Sequence, residues 1–294
     1  MVKKTIYVSR PASLSLKDRQ FVIHFKDDGS LRIVPVEDIG FVVLENQQIA
    51  VTVPLIAALS ENNVAIVFCD NHLMPVALSL AFEGNSVQQE VLKNQLSASV
   101  PLNKNLWKQI IISKIENQAA LLDKVNRDGS RLHRLAKDVK SGDSDNKEGI
   151  AARIYWQSLF GSGFYRSREG MPPNNLLNYG YSILRSAVAR AIVGSGLNPG
   201  LGVFHRNRYN AFPLADDLME PFRPFVDEIV FNLWESGVSE MNREIKASLL
   251  SVLSCDTIFN DECKPLMVGL SSSTASMVRC YSKDSAELVL PKFS

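Results

Sequence analysis

The sequence lacks any long apolar segment, since no stretch of its 294 residues approaches the roughly 18 uninterrupted apolar residues that a membrane-spanning helix needs. The basic N-terminal residues are not followed by the apolar region of a signal peptide. Cysteine is scarce, and Cys69, Cys255, Cys263 and Cys280 show no C-x-x-C spacing. These absences predict a cytoplasmic protein without membrane association, whose thiols are free and buried rather than disulfide-bonded or bound to zinc.

A strong net charge is also lacking. The formal net charge is +1, so no field of the whole molecule attracts nucleic acid or an anionic membrane. A composition of 46% hydrophobic and 21% charged residues is typical of a globular protein with a sizeable core. The length suits one large domain or two ordinary ones. A polyanionic partner would therefore have to bind a local basic surface.

Hydrophobic periodicity divides the chain into two parts. Short β-branched and aromatic runs predict strands at residues 5–8, 20–26, 31–36, 39–44, 49–53 and 64–69. Apolar residues at three- and four-residue spacing then predict helices at residues 87–96, 102–125, 130–140, 149–160, 175–193, 214–234, 239–253 and 274–290. The expected fold class is α+β, with a small N-terminal β-sheet domain over residues 1–85, used for dimerisation or partner docking, and a larger all-α domain over residues 86–294.

The segment over residues 205–224, HRNRYNAFPLADDLMEPFRP, concentrates chemically active side chains. It contains His205 and the carboxylates of Asp216, Asp217 and Glu220. On a helix, Asp217 and Glu220 share a face with Asp216 close by, and grouped carboxylates repel one another unless a cation or a proton lies between them. A divalent metal with His205 as a nitrogen ligand is one interpretation. A solvated acidic helix start is the other, because Asp and Glu favour first turns.

Two prolines interrupt the helical pattern of this segment. Pro221 and Pro224 cannot donate hydrogen bonds to the carbonyl groups of Asp217 and Glu220, four residues earlier. The helix is therefore expected to open locally where its carboxylates turn toward one place. Glu148, upstream, follows the polar segment SGDSDNK, where Asp145 or Asn146 is the expected N-cap. Taken alone, Glu148 is a favourable first-turn charge.

Residues 147–208 are strongly basic, with eight basic residues against two acidic ones. Most of the basic residues are arginines, which suit bidentate phosphate contacts, and aromatic residues are interspersed among them. This pattern favours a nucleic-acid surface over ordinary solvated helices, which remain the alternative. The candidate DNA-binding residues are Arg153, Arg166, Arg168, Arg185, Arg206, Arg208, Asn178 and Tyr181.

Four motifs resemble those of one known family. They are E-G-x-A-A at residues 148–152, PPNNLLNYGY at 172–181, G-x-F-H at 202–205 and L-A-x-D-L-M-E-P-F-R-P at 214–224. In order and spacing they resemble the CRISPR-associated endonuclease of the adaptation complex, the protein numbered one in that series. That family integrates new spacers into CRISPR arrays. The short N-terminal part and the phrase DLMEPFRPFVD are most similar to the form found in type II systems.

The resemblance implies a role for each candidate residue. Glu148, His205 and Glu220 would be the catalytic metal ligands, with Asp217 a near neighbour, and the helical domain would be the catalytic one. Carboxylate oxygens with one imidazole suit Mg²⁺ or Mn²⁺, which would activate a 3′-hydroxyl or a water against a DNA phosphate. The implied enzyme is a metal-dependent DNA endonuclease and integrase.

The resemblance also implies partners. These are double-stranded DNA, as protospacer and CRISPR repeat, a homodimer built on the β domains, a complex with the small ferredoxin-like Cas partner numbered two, and type II effector and accessory adaptation proteins. A non-catalytic DNA-binding scaffold of the same fold is the alternative. An unrelated zinc hydrolase would require more nitrogen or sulfur ligands than His205 provides.

Overall fold

A computed structural model of the chain describes residues 3–205, 207–238 and 240–293. The chain divides into two compact units, Met1–Gln88 and Gln89–Ser294, whereas the boundary expected from the sequence lies between residues 85 and 86. It is a mixed α/β protein with N-terminal sheets and a mainly helical C-terminal part. Within the described residues, no helix combines the length and the apolar character that crossing a membrane requires.

The N-terminal unit contains two sheets and one helix. Its strands are β1 (Lys4–Val8), β2 (Ala12–Lys17), β3 (Gln20–Phe25), β4 (Leu31–Pro35), β5 (Ile39–Leu44), β6 (Ala50–Val51), β7 (Ala65–Cys69) and β8 (Pro75–Ser79), and its helix is α1 (Val53–Glu61). One sheet has the strand order β1-β5-β7-β8, with β8 antiparallel to β7 and the other pairs parallel. The other has the order β4-β3-β2-β6, in which only the β2–β6 pair is parallel.

Alternating apolar residues of these strands form the core of the unit. Phe21, Ile39 and Ile66 are buried together with Leu55 and Leu59 of α1. The helix has Pro54 in its first turn, where the fixed φ of proline suits the helix and its missing amide costs no hydrogen bond. The strands β2 and β8 were not predicted, because serine alternates with leucine in β2 and β8 starts at a proline and lies at a sheet edge.

The C-terminal unit is built mainly from helices. These are α2 (Gln88–Leu96), α3 (Val100–Lys124), α4 (Ser130–Lys137), α5 (Lys147–Phe160), α6 (Asn174–Gly194), α7 (Pro213–Met219), α8 (Arg223–Glu235), α9 (Arg243–Leu250) and α10 (Leu266–Tyr281). The two longest, α3 and α6, carry much of the buried core. At Gly180 in α6, an added Cβ would lie 2.4 Å from Val226 Cγ1, so glycine is needed for α6 and α8 to approach each other closely.

The expectation of an all-α second domain is wrong at one place. The antiparallel strands β9 (Asp256–Phe259) and β10 (Glu262–Pro265) form a hairpin before α10. Asn260 and Asp261 at its turn both have positive φ, a conformation that these two residue types tolerate. The last helix consequently begins at Leu266 rather than at residue 274, and it ends at Tyr281 rather than at residue 290.

The expectation that all four cysteines are buried is wrong. Cys69 and Cys280 are buried, Cys255 is half-buried and Cys263 is exposed on β10. The buried pair behaves as small apolar core residues, and no disulfide links the described parts of the chain.

Candidate functional site

Glu148 lies in the first turn of α5, where two side chains hold the backbone. Asn146 is the N-cap, and its Oδ1 accepts a hydrogen bond from the Gly149 amide at 3.2 Å. The Asp143 carboxylate accepts hydrogen bonds from the backbone amides of Lys147 and Glu148 at 2.8 and 3.1 Å. These caps satisfy amide groups that have no partner inside the helix. The Glu148 side chain therefore projects from a well-defined helix start, and it is 26% exposed.

Glu220 lies where the helical path is interrupted. Helix α7 ends at Met219, a single 3₁₀ turn covers Glu220–Phe222, and α8 starts at Arg223. The Glu220 amide donates to the Asp217 carbonyl, and the Arg223 amide donates to the Glu220 carbonyl, so both bonds span three residues instead of four. The expected local opening of the helix is confirmed. It results from two prolines that cannot donate to the α-helical ladder.

Lys114 of α3 joins these two carboxylates. Its ammonium nitrogen lies 2.6 Å from Glu148 Oε1 and 2.5 Å from Glu220 Oε2. Both the Lys114 and the Glu220 side chains are almost fully buried. Burial disfavours the charged amine, but the Glu220 and Glu148 carboxylates outweigh burial and raise the pKa of Lys114. Sequence reasoning missed this residue, although a lysine inside the apolar run IIISKI was a visible signal.

Arg223 provides a second cation for Glu220. Its Nε lies 3.0 Å from Glu220 Oε1, and its guanidinium lies over the Tyr181 ring, 4.5 Å from the centroid. Burial alone would raise the pKa of Glu220, but Arg223 and Lys114 reverse that effect and lower it. Glu220 is therefore held as a carboxylate between two cations from different helices.

His205 lies in the loop between α6 and α7 and is oriented by Asp217. The buried Asp217 carboxylate accepts hydrogen bonds from the Phe204 and His205 amides at 2.9 and 3.2 Å. It also lies 2.5 Å from His205 Nδ1. Gly202 is needed in this loop, since an added Cβ would lie 2.6 Å from the His205 carbonyl oxygen. The contact with Nδ1 leaves the other imidazole nitrogen, Nε2, to act as an acceptor or a ligand.

The neighbouring carboxylates together raise the pKa of His205. The hydrogen bond with Asp217, opposed by partial burial, raises the pKa of His205, and the Glu220 and Glu148 carboxylates raise it further. Glu148, Glu220 and Asp217 therefore all act on the charge of His205. Among the described residues, no three side chains of His, Cys, Asp or Glu stand close enough together to hold a metal ion as they are arranged.

Asp216 does not join this group, although it directly precedes Asp217. Its carboxylate pairs with Arg185, at 2.6 Å from Nε and 3.1 Å from one terminal nitrogen, and it accepts a hydrogen bond from Asn210 at 2.6 Å. Adjacent residues on a helix point about 100° apart, so only one of the two aspartates can face His205. The interpretation that groups Asp216 with Asp217 and Glu220 is therefore wrong for Asp216.

A cavity of about 440 Å³ opens beside His205. Its lining includes the polar side chains of Gln95, Asn103, Asn207, Arg208 and Asn210. The His205 ring also makes T-shaped contacts with Trp107 and Phe204, which stack on each other with a centroid distance of 4.4 Å. The imidazole thus lines the polar cavity and also contacts an aromatic pair.

The structure divides the candidate DNA-binding residues into two groups. Arg153, Arg168 and Arg208 are exposed, whereas Arg206 lies outside the described residues. The remaining residues, Arg166, Arg185, Asn178 and Tyr181, are wholly or partly engaged in internal contacts. Arg166 donates to Asn178 at 2.7 Å. Tyr181 is buried, so its assignment as a DNA-binding residue is wrong, and Asn178 is better explained as the anchor of Arg166.

Tyr181 belongs to a buried cluster that joins three helices. The hydroxyl groups of Tyr155 on α5 and Tyr181 on α6 both donate to the carboxylate of Asp227 on α8, the former at 2.7 Å. Burial raises the pKa of Asp227 to about 6, although the two hydroxyl groups and the cations of Arg223 and Arg166 act in the opposite direction. This cluster fixes the helix that begins at Arg223 relative to the helix that carries Glu148.

The raised pKa of Asp227 predicts a pH dependence of stability. The folded protein retains this proton up to about pH 6, whereas an unfolded aspartate loses it near pH 4, so the stabilisation present at low pH is lost as pH rises through this window. Between pH 4 and pH 7, the free energy of unfolding of wild type should fall by up to about 3 kcal/mol more than that of Asp227→Asn, which has no titratable group at this position. Urea unfolding at several pH values measures the difference, and parallel profiles would contradict it.

Comparison of the sequence with known proteins shows its family. The sequence profile described as CRISPR associated protein Cas1 matches residues 6–252. Over 257 residues the chain is 39% identical to the CRISPR-associated endonuclease Cas1 of Neisseria meningitidis serogroup C, which covers 86% of this chain and 84% of that protein.

Solved structures share the fold. A casposase bound to an integration product matches with a TM-score of 0.79 at 20% identity, covering 98% of this chain and 93% of that one. A Cas6-RT-Cas1–Cas2 complex matches with a TM-score of 0.74 at 19% identity, covering 99% of this chain and 36% of that chain. At such identities the structural similarity establishes the fold alone.

Proposed function

The chain belongs to the family of CRISPR-associated Cas1 proteins, and we propose that it is a metal-dependent DNA endonuclease and integrase of CRISPR adaptation. In this reaction the 3′-hydroxyl ends of protospacer DNA are joined to the CRISPR repeat. One observation carries the proposal. Glu148 and Glu220, from separate helices, meet at one buried cationic nitrogen, and both act electrostatically on His205.

The relatives support this chemistry by their names. The similar Neisseria meningitidis protein is named an endonuclease, and the structurally similar casposase was solved with an integration product. Hydrolysis and strand joining differ only in the nucleophile, which is water in one case and a 3′-hydroxyl in the other. Both reactions require a site that stabilises the negative charge of the phosphate in the transition state.

The donor set fits a hard divalent cation. We assign Glu148, His205 and Glu220 as the ligands of Mg²⁺ or Mn²⁺, since carboxylate oxygens suit both ions and imidazole suits Mn²⁺ in addition. Glu148 and Glu220 already converge on a cation, the Lys114 ammonium, and this convergence supports their assignment as ligands of one cation. When bound, the metal would polarise the phosphate and lower the pKa of the attacking hydroxyl.

The residues around the ligands serve to orient them. Asp217 holds His205 through Nδ1 and keeps Nε2 free for the metal, which is the usual task of a carboxylate behind a ligating imidazole. Arg223 remains beside Glu220 and limits its rotation. The exposed Arg153, Arg168 and Arg208 are proposed to contact DNA phosphates, and the polar cavity beside His205 is proposed to admit the reacting DNA end.

Partners follow from the family. We propose a complex with Cas2, because a structurally similar chain was solved in a complex whose name includes Cas2. A homodimer through the N-terminal unit is also proposed. Leu31 and Ile33 support it, because they are 61% and 60% exposed on the edge strand β4 and would be covered by a second copy. Type II effector and accessory adaptation proteins complete the proposed set of partners.

A strand-transfer assay tests the proposed function. Short duplex DNA with free 3′-hydroxyl groups is incubated with a supercoiled plasmid that carries a CRISPR repeat, with Mn²⁺ or with EDTA, and with or without Cas2. We expect joined product only with Mn²⁺, since the ligand set alone supplies no strong Lewis acid. The matched control is a DNA substrate with dideoxy 3′ ends, which should bind the protein equally well but lacks the nucleophilic hydroxyl.

The two outcomes separate the competing functions. Product that depends on Mn²⁺ and on the 3′-hydroxyl supports the integrase. Retained, salt-sensitive DNA binding without product in any condition would leave a non-catalytic DNA-binding scaffold, since phosphate contacts by arginine give affinity without chemistry.

A further inference from the structure

Lys114 occupies the position where the two proposed ligand carboxylates meet. Its ammonium nitrogen contacts Glu148 Oε1 at 2.6 Å and Glu220 Oε2 at 2.5 Å, and its side chain is only 9% exposed. Both contacts are close ion pairs between an ammonium and a carboxylate. The lysine lies in the middle of α3, a helix of 25 residues whose neighbouring positions Ile110, Ile111 and Ile115 are fully buried. The Lys114 side chain thus starts from a largely buried helix, and its ammonium end lies between the two carboxylates.

The formal charges of this cluster already cancel. Lys114 and Arg223 carry two positive charges, and Glu148 and Glu220 carry two negative ones. A divalent cation added among these four side chains without rearrangement would leave an excess of positive charge in a largely buried place. Such a state is costly, because attraction and repulsion between charges are both strong where water is excluded. Metal binding therefore requires the ammonium to leave at least one of the carboxylates.

The two cations differ in how easily they can leave. Arg223 approaches Glu220 from the opposite oxygen, Oε1, and its guanidinium is also held against the Tyr181 ring. Lys114 has a flexible stem and a compact ammonium that can rotate away, whereas a guanidinium is a planar and rigid group. Arg223 can thus remain the partner of Glu220 while Lys114 withdraws.

We propose that Lys114 is a positioning residue that holds Glu148 and Glu220 together before the metal arrives and then competes with the metal for them. The inference rests on the proposed metal-dependent function, and it adds a determinant of metal affinity to the ligand set. Lys114 keeps the carboxylates from repelling each other in the metal-free protein. The same contact weakens divalent binding, so the metal is exchanged rather than permanently held.

Isothermal titration calorimetry of Mn²⁺ binding to wild type and to Lys114→Met tests the inference. Methionine keeps the length of the stem and removes the charge. We expect Lys114→Met to bind Mn²⁺ at least about tenfold more tightly, because the competing cation is absent. The matched control is Lys124→Met on the same helix, which removes a more exposed lysine that pairs with Glu228 at 2.8 Å. Its Mn²⁺ affinity should equal that of wild type.

Thermal unfolding supplies a second readout that a merely structural role would not reproduce. In EDTA, Lys114→Met should melt below wild type, because Glu148 and Glu220 then lack the cation between them. Saturating Mn²⁺ should remove most of this difference in melting temperature between the variant and wild type. If Lys114 only packs, the difference will be the same with and without Mn²⁺, and the affinity will not change. Lys114→Gln, which retains a hydrogen-bond donor without charge, replaces the methionine variant if that variant does not fold.

The results also distinguish this inference from the proposed function. If wild type and Glu220→Gln both show no specific Mn²⁺ binding, the proposed metal site is wrong. If wild type binds Mn²⁺ through Glu220, but the charge-free variants of Lys114 bind it equally or more weakly, the competition by Lys114 is wrong and the metal site stands.

Discussion

Replacing His205 with alanine should reduce the rate of strand transfer by at least about a thousandfold, because it removes the nitrogen donor of the proposed metal site. The fold should survive the substitution. The His205 side chain is 41% exposed, and Asp217 keeps the hydrogen bonds from the backbone amides of residues 204 and 205. Initial rates with Mn²⁺ and a supercoiled target measure the effect, and a thermal melt close to that of wild type verifies folding.

His133 offers a matched control for this experiment. Its side chain is 37% exposed and, like His205, it contacts carboxylates, with Nδ1 2.5 Å from Glu116 and Nε2 3.1 Å from Asp123. It lies outside the group around Lys114, so His133→Ala should retain the wild-type rate of strand transfer. An active His205→Ala variant, within about tenfold of wild type, would remove His205 from the ligand set.

Replacing Glu220 should affect both activity and stability, and two substitutions separate the effects. Glu220→Gln removes the charge but keeps hydrogen-bonding atoms beside Lys114 and Arg223, so it should abolish strand transfer with a modest loss of stability. Glu220→Ala should also lower the free energy of unfolding by about 3–5 kcal/mol, because it deprives two largely buried cations of a shared carboxylate. Urea unfolding without metal measures the second effect.

The control for Glu220 is another carboxylate that pairs with a lysine of α3. Glu228 contacts Lys124 at 2.8 Å, and both side chains are more exposed than Glu220 and Lys114. Glu228→Gln should leave strand transfer unchanged and should alter the unfolding free energy by less than about 1 kcal/mol, as exposed ion pairs usually do. Full activity of Glu220→Gln would contradict the ligand assignment, and wild-type stability of Glu220→Ala would contradict the charge argument.

Local sequence signals identified most of the elements, but their accuracy depended on how each element is stabilised. Helix α5 was predicted closely, because the side chain of Asn146 caps it and apolar periodicity marks its length. The interruption at Glu220–Phe222 was predicted from two prolines, which act locally. The hairpin β9–β10 was missed, because its short strands are defined by pairing with each other and not by a long periodic run.

The candidate site was only partly visible in the sequence. The four motifs point to Glu148, His205 and Glu220, and the spacing of Asp217 places it near Glu220. The spacing did not decide between Asp216 and Asp217, since neighbouring side chains diverge around the helix and only packing determines which one faces inward. Tyr181, expected to contact DNA, is instead buried against Asp227 for the same reason.

By itself, the sequence determined the type and order of most secondary structure and the break in the helix before Arg223, because these features depend on periodicity and proline geometry within a few residues. It named the candidate ligands only through the resemblance of four motifs to a known family. Only the tertiary structure decided that Lys114 stands between Glu148 and Glu220, from which it is separated by 34 and 106 positions along the chain. Charges interact through distances in space, and folding brings these three together by packing α3 against α5 and the turn after α7.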